Sequence, residues 1–176
     1  RLESESGESA KMLVSISGQG DPWSSQHYRA ILRHMADNDL PMDLNIHTNA
    51  QLMGPKRWAE FAGLEKYKPL VSVSIDAATP WVYDYVRRPG KFDRLVENLS
   101  FLAGKRQDGT FREFEVNATI QLDNFHEIPG LIDLAEEMGK PVPWVSLAMT
   151  LTKAPESVRA AVDEDRCQME VGALVG

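Results

Sequence analysis

The chain has 176 residues and a formal net charge of −7, with 19 basic and 26 acidic residues. This length suits one domain with a substantial core. The acidic balance disfavours nucleic acid as a partner, because its binding proteins carry basic patches. No apolar run reaches the roughly 18 residues of a membrane helix, so we expect no membrane association. Since the chain begins with Arg1 and no signal peptide is visible, we expect truncation or processing at this end.

Cys167 is the single cysteine of the chain. One cysteine cannot form an internal disulfide, which favours a reducing, cytoplasmic location. It also cannot hold a four-cysteine zinc site or an iron–sulfur cluster by itself. We interpret it as an incidental or buried thiol.

Predicted strands and helices alternate along the chain. Alternating and helical apolar patterns predict strands at 12–17, 43–48, 70–76, 114–122 and 143–149, with helices at 24–38, 55–63, 91–104 and 126–138. Thr79-Pro80 is typical of a helix start. Beyond residue 150 the pattern ends. We therefore expect an acidic N-terminal remnant at 1–10, one domain at 11–150, and an extension or linker at 151–176.

The strands of this domain carry polar residues at every second position. In the second strand these are Asp43, Asn45, His47 and Asn49, and in the fourth Glu115, Asn117, Thr119 and Gln121. An open doubly wound sheet is covered on both faces and should show continuous apolar strands. Burying this many unsatisfied polar groups would cost about 1–3 kcal/mol each.

The polar face therefore predicts an α/β fold of another kind, a partial TIM-like (β/α) barrel. Its parallel strands would have a polar inner face, with the helices outside and ligands at the carboxyl ends of the strands. The alternative is an antiparallel sheet with one solvated face. A helix between successive strands disfavours it.

Three predicted strand ends carry polar loops on the ligand side of this fold. The first is Gly18-Gln19-Gly20-Asp21-Pro22, where glycine permits close backbone approach and a carboxylate suits an ammonium group. The second is His47-Thr48-Asn49-Ala50, which ordinary turn chemistry would also explain. We interpret His47 as a hydrogen-bonding group that lines a cavity, because no second His or Cys stands at ligand spacing.

The third loop follows Ser74-Ile75-Asp76 and contains Arg87 and Arg88. Ser74 and Asp76 should face the cavity, and Arg87 can pair with a carboxylate through its planar fork. The alternative is a pair of solvated surface arginines. The first loop has a similar alternative, an ordinary strand-to-helix turn.

Taken in order, these segments resemble the radical S-adenosylmethionine (SAM) superfamily, in its SPASM or twitch branch. ISGQGDP (16–22) resembles the family's GGEP motif, with Asp21 for Glu, and HTNAQLM (47–53) resembles its TNG segment, with Ala50 for Gly. Residues 71–102, VSVSIDAATPWVYDYVRRPGKFDRLVENLSFL, resemble the family's SIDG…Y…R segment. Residues 116–139 resemble the strand and helix that follow, with Asn124 at the family's asparagine.

The resemblance implies a SAM-binding barrel at about 12–150. It implies that Gly18, Gly20, Asp21 and Pro22 form the loop that receives the SAM amino group. Ser74 and Asp76 would lie near the ribose or the methionine part, and Arg87 would pair with the methionine carboxylate. The remaining cavity-lining positions would be Asn49, Asn117 and Gln121.

In this family a reduced [4Fe–4S] cluster cleaves SAM, and the 5′-deoxyadenosyl radical abstracts a substrate hydrogen. The family's CxxxCxxC cluster motif is absent here. We therefore expect the cluster to be held by another part of a parent enzyme, and this chain alone to be inactive. The substrate would be a peptide or protein. The alternatives are a cluster-less SAM-binding module and an unrelated β/α-barrel lyase.

Overall fold

A computed structural model of the chain describes residues 12–16, 20–138 and 144–149. Predictions for 1–10, Gly18, 151–176 and Cys167 lie outside these residues. The described strands are β1 (Met12–Ile16), β2 (Met42–Thr48), β3 (Leu70–Ser74), β4 (Glu113–Ile120) and β5 (Trp144–Met149). The helices are α1 (Gln26–Asp37), α2 (Pro55–Ala59), α3 (Pro80–Val86), α4 (Phe92–Gln107) and α5 (Ile128–Glu137), with 3₁₀ turns at Ala62–Tyr67 and Phe125–Glu127.

The five strands form one parallel sheet in the order β1-β2-β3-β4-β5. Crossovers between parallel strands are right-handed in nearly all proteins, so a strictly sequential order places the connecting helices on one face. An open doubly wound sheet instead reverses its strand order at a switch point. The sheet order therefore confirms the predicted α/β class and the partial β/α barrel.

The apolar face of the sheet forms the core together with the helices. In β4 the alternate residues Phe114, Val116, Ala118 and Ile120 are buried, and the residues between them are half-buried or exposed. Aromatic rings extend this core: Trp23 packs edge-to-face against Trp58 and Phe61, at centroid distances of 6.2 and 5.3 Å. The predicted alternation thus assigns the two faces correctly.

Several elements end earlier or begin later than the sequence predicts, for local reasons. Helix α1 starts at Gln26 because Ser25 is its N-cap and accepts a hydrogen bond from the Tyr28 backbone. The helix predicted at 55–63 is α2 followed by a 3₁₀ turn. Strand β4 ends at Ile120, and the Gln121 backbone turns to donate to Asn124 Oδ1.

Every helix in the described part of the chain is too short or too polar to cross a bilayer.

Candidate functional site

A cleft of about 250 Å³ opens at the carboxyl ends of β2 and β3. Parallel strands bring their carboxyl ends to one edge of the sheet, where ligands bind in α/β folds. The cleft is lined by Gly20, Asp21, His47, Thr48, Asn49, Ser74 and Arg87. Residues from all three loops singled out in the sequence therefore meet in one place.

Asp21 joins the loop after β1 to the end of β2. Its Oδ2 accepts hydrogen bonds from Thr48 Oγ1 (2.6 Å) and from the Asn49 backbone (2.9 Å). Its Oδ1 accepts from the Trp23 backbone at 2.9 Å. A carboxylate has about four acceptor positions, so one remains for a ligand. Asp21 therefore holds Thr48 and Asn49 in place and keeps a limited capacity to bind a donor itself.

Two residues beside the cleft adopt a left-handed backbone conformation. Gly20 has a φ of 93° and Ala50 a φ of 57°. The Ala50 conformation is held by the buried amide of Asn98, whose Nδ2 donates to the Ala50 carbonyl at 2.6 Å. Gly54 gives that amide its space, because a Cβ there would lie 2.5 Å from Asn98 Oδ1.

Asp76 and Arg87 form an ion pair under the cleft, with Asp76 Oδ2 2.7 Å from Arg87 Nε. The Nε–H does not point at that oxygen, so the contact is an ion pair without a hydrogen bond. Asp76 Oδ1 accepts from the Thr119 backbone at 2.7 Å, which fixes the carboxylate to the end of β4. The terminal nitrogens of Arg87 meet no acceptor in the described part of the chain. They remain available to a ligand in the cleft.

Asn124 holds the turn at Asp76 from the opposite side. Its side chain is fully buried, and its Nδ2 donates to the Asp76 carbonyl (2.7 Å) and the Thr119 carbonyl (2.9 Å). Its Oδ1 accepts from the Gln121 backbone at 2.7 Å. Asp76 has a φ of 53°, a conformation that L-residues rarely adopt without such partners.

Glu127 caps the start of helix α3 from another part of the chain. Its Oε2 accepts from the backbones of Ala78 and Thr79, both at 2.8 Å, and its Oε1 accepts from Thr79 Oγ1 at 3.0 Å. Thr79 is the N-cap as predicted, but its own side chain makes no capping bond. The carboxylate supplies that function and so fixes the start of α3.

Gln51 fixes the connection between α3 and α4 through side-chain hydrogen bonds. Gln51 Oε1 accepts from the Lys91 backbone at 2.9 Å, and Gln51 Nε2 donates to the Lys91 carbonyl at 3.0 Å and to Tyr83 Oη at 3.1 Å. Burial raises the pKa of the Tyr83 phenol, against a smaller lowering effect of the Gln51 hydrogen bond. Gly90 packs tightly here, since a Cβ would lie 2.8 Å from the Arg87 carbonyl oxygen.

Asp84 caps α4 from the end of α3. Its Oδ1 accepts from the Phe92 backbone at 3.0 Å, and its Oδ2 lies 2.8 Å from Lys91 Nζ. The hydrogen bond from Lys91, followed by that from the Phe92 backbone, lowers the pKa of the Asp84 carboxyl. Helices α3 and α4 are thus fixed to each other by side chains.

The structure brings together only part of the predicted site. The residues that line the cleft are Gly20, Asp21, Asn49, Ser74 and Arg87. Asp76 lies beneath it, paired with Arg87. Three others do not line this cleft: Pro22 is buried, Asn117 donates to Ser72 Oγ, and Gln121 lies in the turn after β4. Gly18 lies outside the described residues.

Three residues that shape the site were not predicted from the sequence: Gln51, Asn98 and Glu127. Gln51, Asn98 and Glu127 act on residues 40 or more positions away. Each of these three contacts joins segments that are distant in the sequence. Nothing in the local sequence pattern distinguishes these residues from ordinary surface polar residues.

No group of three or more His, Cys, Asp or Glu side chains within 12–16, 20–138 and 144–149 could hold a metal ion. His47 lines the cleft without a second imidazole or thiol near it in this region. The donor set of the described cleft suits a polar organic ligand.

No family model and no curated protein matches the chain. Solved structures share its fold. Streptococcus suis SuiB bound to S-adenosylmethionine matches with a TM-score of 0.57 and 20% sequence identity, covering 78% of this chain and 29% of SuiB. TYW1 with a lysine-pyruvate adduct bound matches with a TM-score of 0.54 and 19% identity, covering 79% of this chain and 42% of TYW1. The chain therefore has the fold of a part of each protein and spans less than half of either.

Proposed function

We propose that this chain is the SAM-binding core of a radical SAM enzyme. The observation that carries the proposal is Arg87, whose terminal nitrogens meet no acceptor among the described residues at a cleft formed by the three motif-bearing loops. The motif order of the sequence supports it. A structure of the same fold, SuiB, holds SAM.

The donors and acceptors of the cleft fit the polar groups of SAM. The Arg87 guanidinium can bind the methionine carboxylate through two parallel hydrogen bonds. The remaining acceptor position of Asp21 suits the ammonium group, and Ser74 and Asn49 offer a hydroxyl and an amide to the sugar. Asp76 acts on the ligand through Arg87, as a positioning residue.

A [4Fe–4S] cluster does not fit the residues of this chain, because it needs thiolate ligands and the chain has one cysteine. In the proposed parent enzyme the cluster, held elsewhere, would supply the electron that cleaves SAM to the 5′-deoxyadenosyl radical. The role of this chain would be to bind SAM, orient it and keep water from it. We propose a peptide or protein substrate and a cytoplasmic location, following the sequence resemblance and the cysteine count.

The second candidate is a SAM-binding module without radical chemistry. The same cysteine count favours it. Both candidates require SAM binding, so that measurement comes first.

Isothermal titration calorimetry of the 176-residue chain with SAM tests the proposal. We expect saturable binding that Arg87→Gln weakens by about tenfold or more, because a charge-assisted bidentate contact is lost. The SAM affinity of Arg87→Lys should lie between those of the wild type and Arg87→Gln, because lysine keeps the positive charge but cannot make two parallel hydrogen bonds. Arg33→Gln, at an exposed position of α1 that does not line the cleft, is the matched control. Absence of SAM binding to the folded wild-type chain would reject both candidates.

A further inference from the structure

A second cleft, of about 530 Å³, lies beside the first and shares Asp21, Asn49 and Arg87 with it. Its walls are the segment before α1, the segment after β2, the end of α3 with the connection that follows it, and the first turn of α4. The residues that line the second cleft and not the first include Leu52, Val86, Arg88, Pro89 and Arg94. A ligand in the first cleft would therefore border any ligand in the second.

The second cleft carries an excess of positive charge. Three arginines and one aspartate line it. Asp21 is already bonded to three donors, and Arg87 is already paired with Asp76 through its Nε. Arg88 and Arg94 have no carboxylate within 4.0 Å in the described part of the chain, whereas nearby Lys91 is paired with Asp84. In a protein with a net charge of −7, this is a local reversal of sign.

Arg88 lies in the connection between α3 and α4, and Arg94 lies in the first turn of α4. The backbone between them is held firmly. The Arg88 guanidinium lies 5.1 Å from the centroid of the Tyr85 ring, a distance that favours a cation–π contact. The Gln51 bonds to Lys91 and the close packing of Gly90 fix the backbone between them. Charged groups on a fixed backbone lose less entropy when they bind a ligand.

We propose that Arg88 and Arg94 bind an anionic group, a carboxylate or a phosphate, of a molecule other than SAM. A cleft lined by one sign of charge concentrates ions of the opposite sign. Leu52, Val86 and Pro89 in the same cleft suit an aliphatic body attached to that group. That this molecule is the second substrate rests on the proposed function; that the cleft binds an anion does not.

Nuclear magnetic resonance titration of the ¹⁵N-labelled 176-residue chain tests the proposal, with the arginine Nε–H signals observed at constant ionic strength. The probes are inorganic phosphate and succinate. We expect at least one of them to shift the Arg88 and Arg94 signals saturably. Tighter binding of phosphate indicates a phosphorylated ligand, and tighter binding of succinate indicates a carboxylate ligand.

Arg88→Gln and Arg94→Gln should each weaken binding of that probe by about tenfold, because each removes a charge-assisted hydrogen bond. Arg33→Gln, the exposed control on α1, should leave it unchanged. A wild-type chain whose Arg88 and Arg94 signals respond to neither probe would overturn the proposal.

SAM affinity separates this site from the first cleft. Arg88→Gln and Arg94→Gln should change it less than about twofold, whereas Arg87→Gln should lower it at least tenfold. If Arg88→Gln and Arg94→Gln weaken SAM binding as much as they weaken probe binding, the second cleft belongs to the SAM site and the proposal is wrong. Saturable probe binding by a chain that does not bind SAM would support the anion site and reject the proposed function.

Discussion

At the scale of single residues, the cleft depends on Asp76, which keeps a backbone conformation that costs an L-residue about 1–2 kcal/mol. Three contacts support it: the Thr119 backbone on one carboxylate oxygen, Arg87 on the other, and Asn124 on the carbonyl. The strained turn aims the carboxylate at Arg87. The free end of Arg87 is therefore placed by residues that do not themselves line the cleft.

Tyr83 gives a pH dependence that follows from its burial. Desolvation raises the pKa of Tyr83 above its ordinary value of 10.0, so the folded state holds the proton more tightly than the unfolded state. This contribution to stability is complete below about pH 10 and is lost as the pH rises through the raised pKa. We expect the free energy of unfolding of the wild type to fall more steeply above about pH 10 than that of Tyr83→Phe.

Urea denaturation at a series of pH values between neutral and alkaline measures this difference. The matched control is Tyr85→Phe, which makes the same substitution at a half-exposed position of the same helix. Equal slopes for the wild type and Tyr83→Phe would show that the phenol ionises in the folded state without cost.

At the scale of elements, α3 has seven residues and too few internal hydrogen bonds to be stable by itself. Its position depends on the Glu127 carboxylate, which is buried and accepts three hydrogen bonds at the helix start. Glu127→Ala should lower the free energy of unfolding by about 2–3 kcal/mol, because buried donors lose a charged acceptor. Glu127→Gln should cost about half as much, since one acceptor oxygen remains.

Chemical denaturation gives these stabilities, and hydrogen exchange at the Ala78 and Thr79 amides reports the cap directly. Glu136→Ala, at an exposed position of α5, is the control for losing a glutamate. A Glu127→Ala variant as stable as Glu136→Ala, with unchanged exchange at both amides, would contradict the assigned role.

The elements themselves could be predicted because their signals are local. The alternation of apolar residues in 113–120 and their helical spacing in 92–107 predict which face of each element is buried, whichever element packs against it. The long-range side-chain hydrogen bonds could not be predicted, because Glu127 meets Thr79 only after the sheet has brought β3 and β4 together. Gln51 likewise meets Lys91 across 40 residues.

At the scale of the whole molecule, the strand order decides which predicted site residues meet. Loops after neighbouring parallel strands converge, which is why Asp21, Asn49 and Ser74 share a cleft. Asn117 belongs to the next strand, β4, and Gln121 to the turn that follows it. Their polar pattern predicted the inner face correctly but could not state how far along the sheet the cleft extends.

In the part of the chain that the structure describes, β1 is an edge strand, which gives a prediction about the behaviour of the chain in solution. Within the described residues β1 pairs only with β2, and its Met12 and Leu13 side chains are 67% and 56% exposed. An apolar strand with unpaired backbone groups is a template for pairing with another chain. We expect reversible self-association that increases with protein concentration, measured by sedimentation velocity over a dilution series.

Leu13→Lys should reduce this association, because a lysine on an edge strand opposes pairing with a second copy. Ile31→Lys is the matched control: it adds the same charge at an exposed apolar position of α1, outside the sheet. If both variants reduce association equally, net charge governs it and the β1 edge does not. A wild-type chain that stays monomeric at every concentration would show that this edge is protected in the intact molecule.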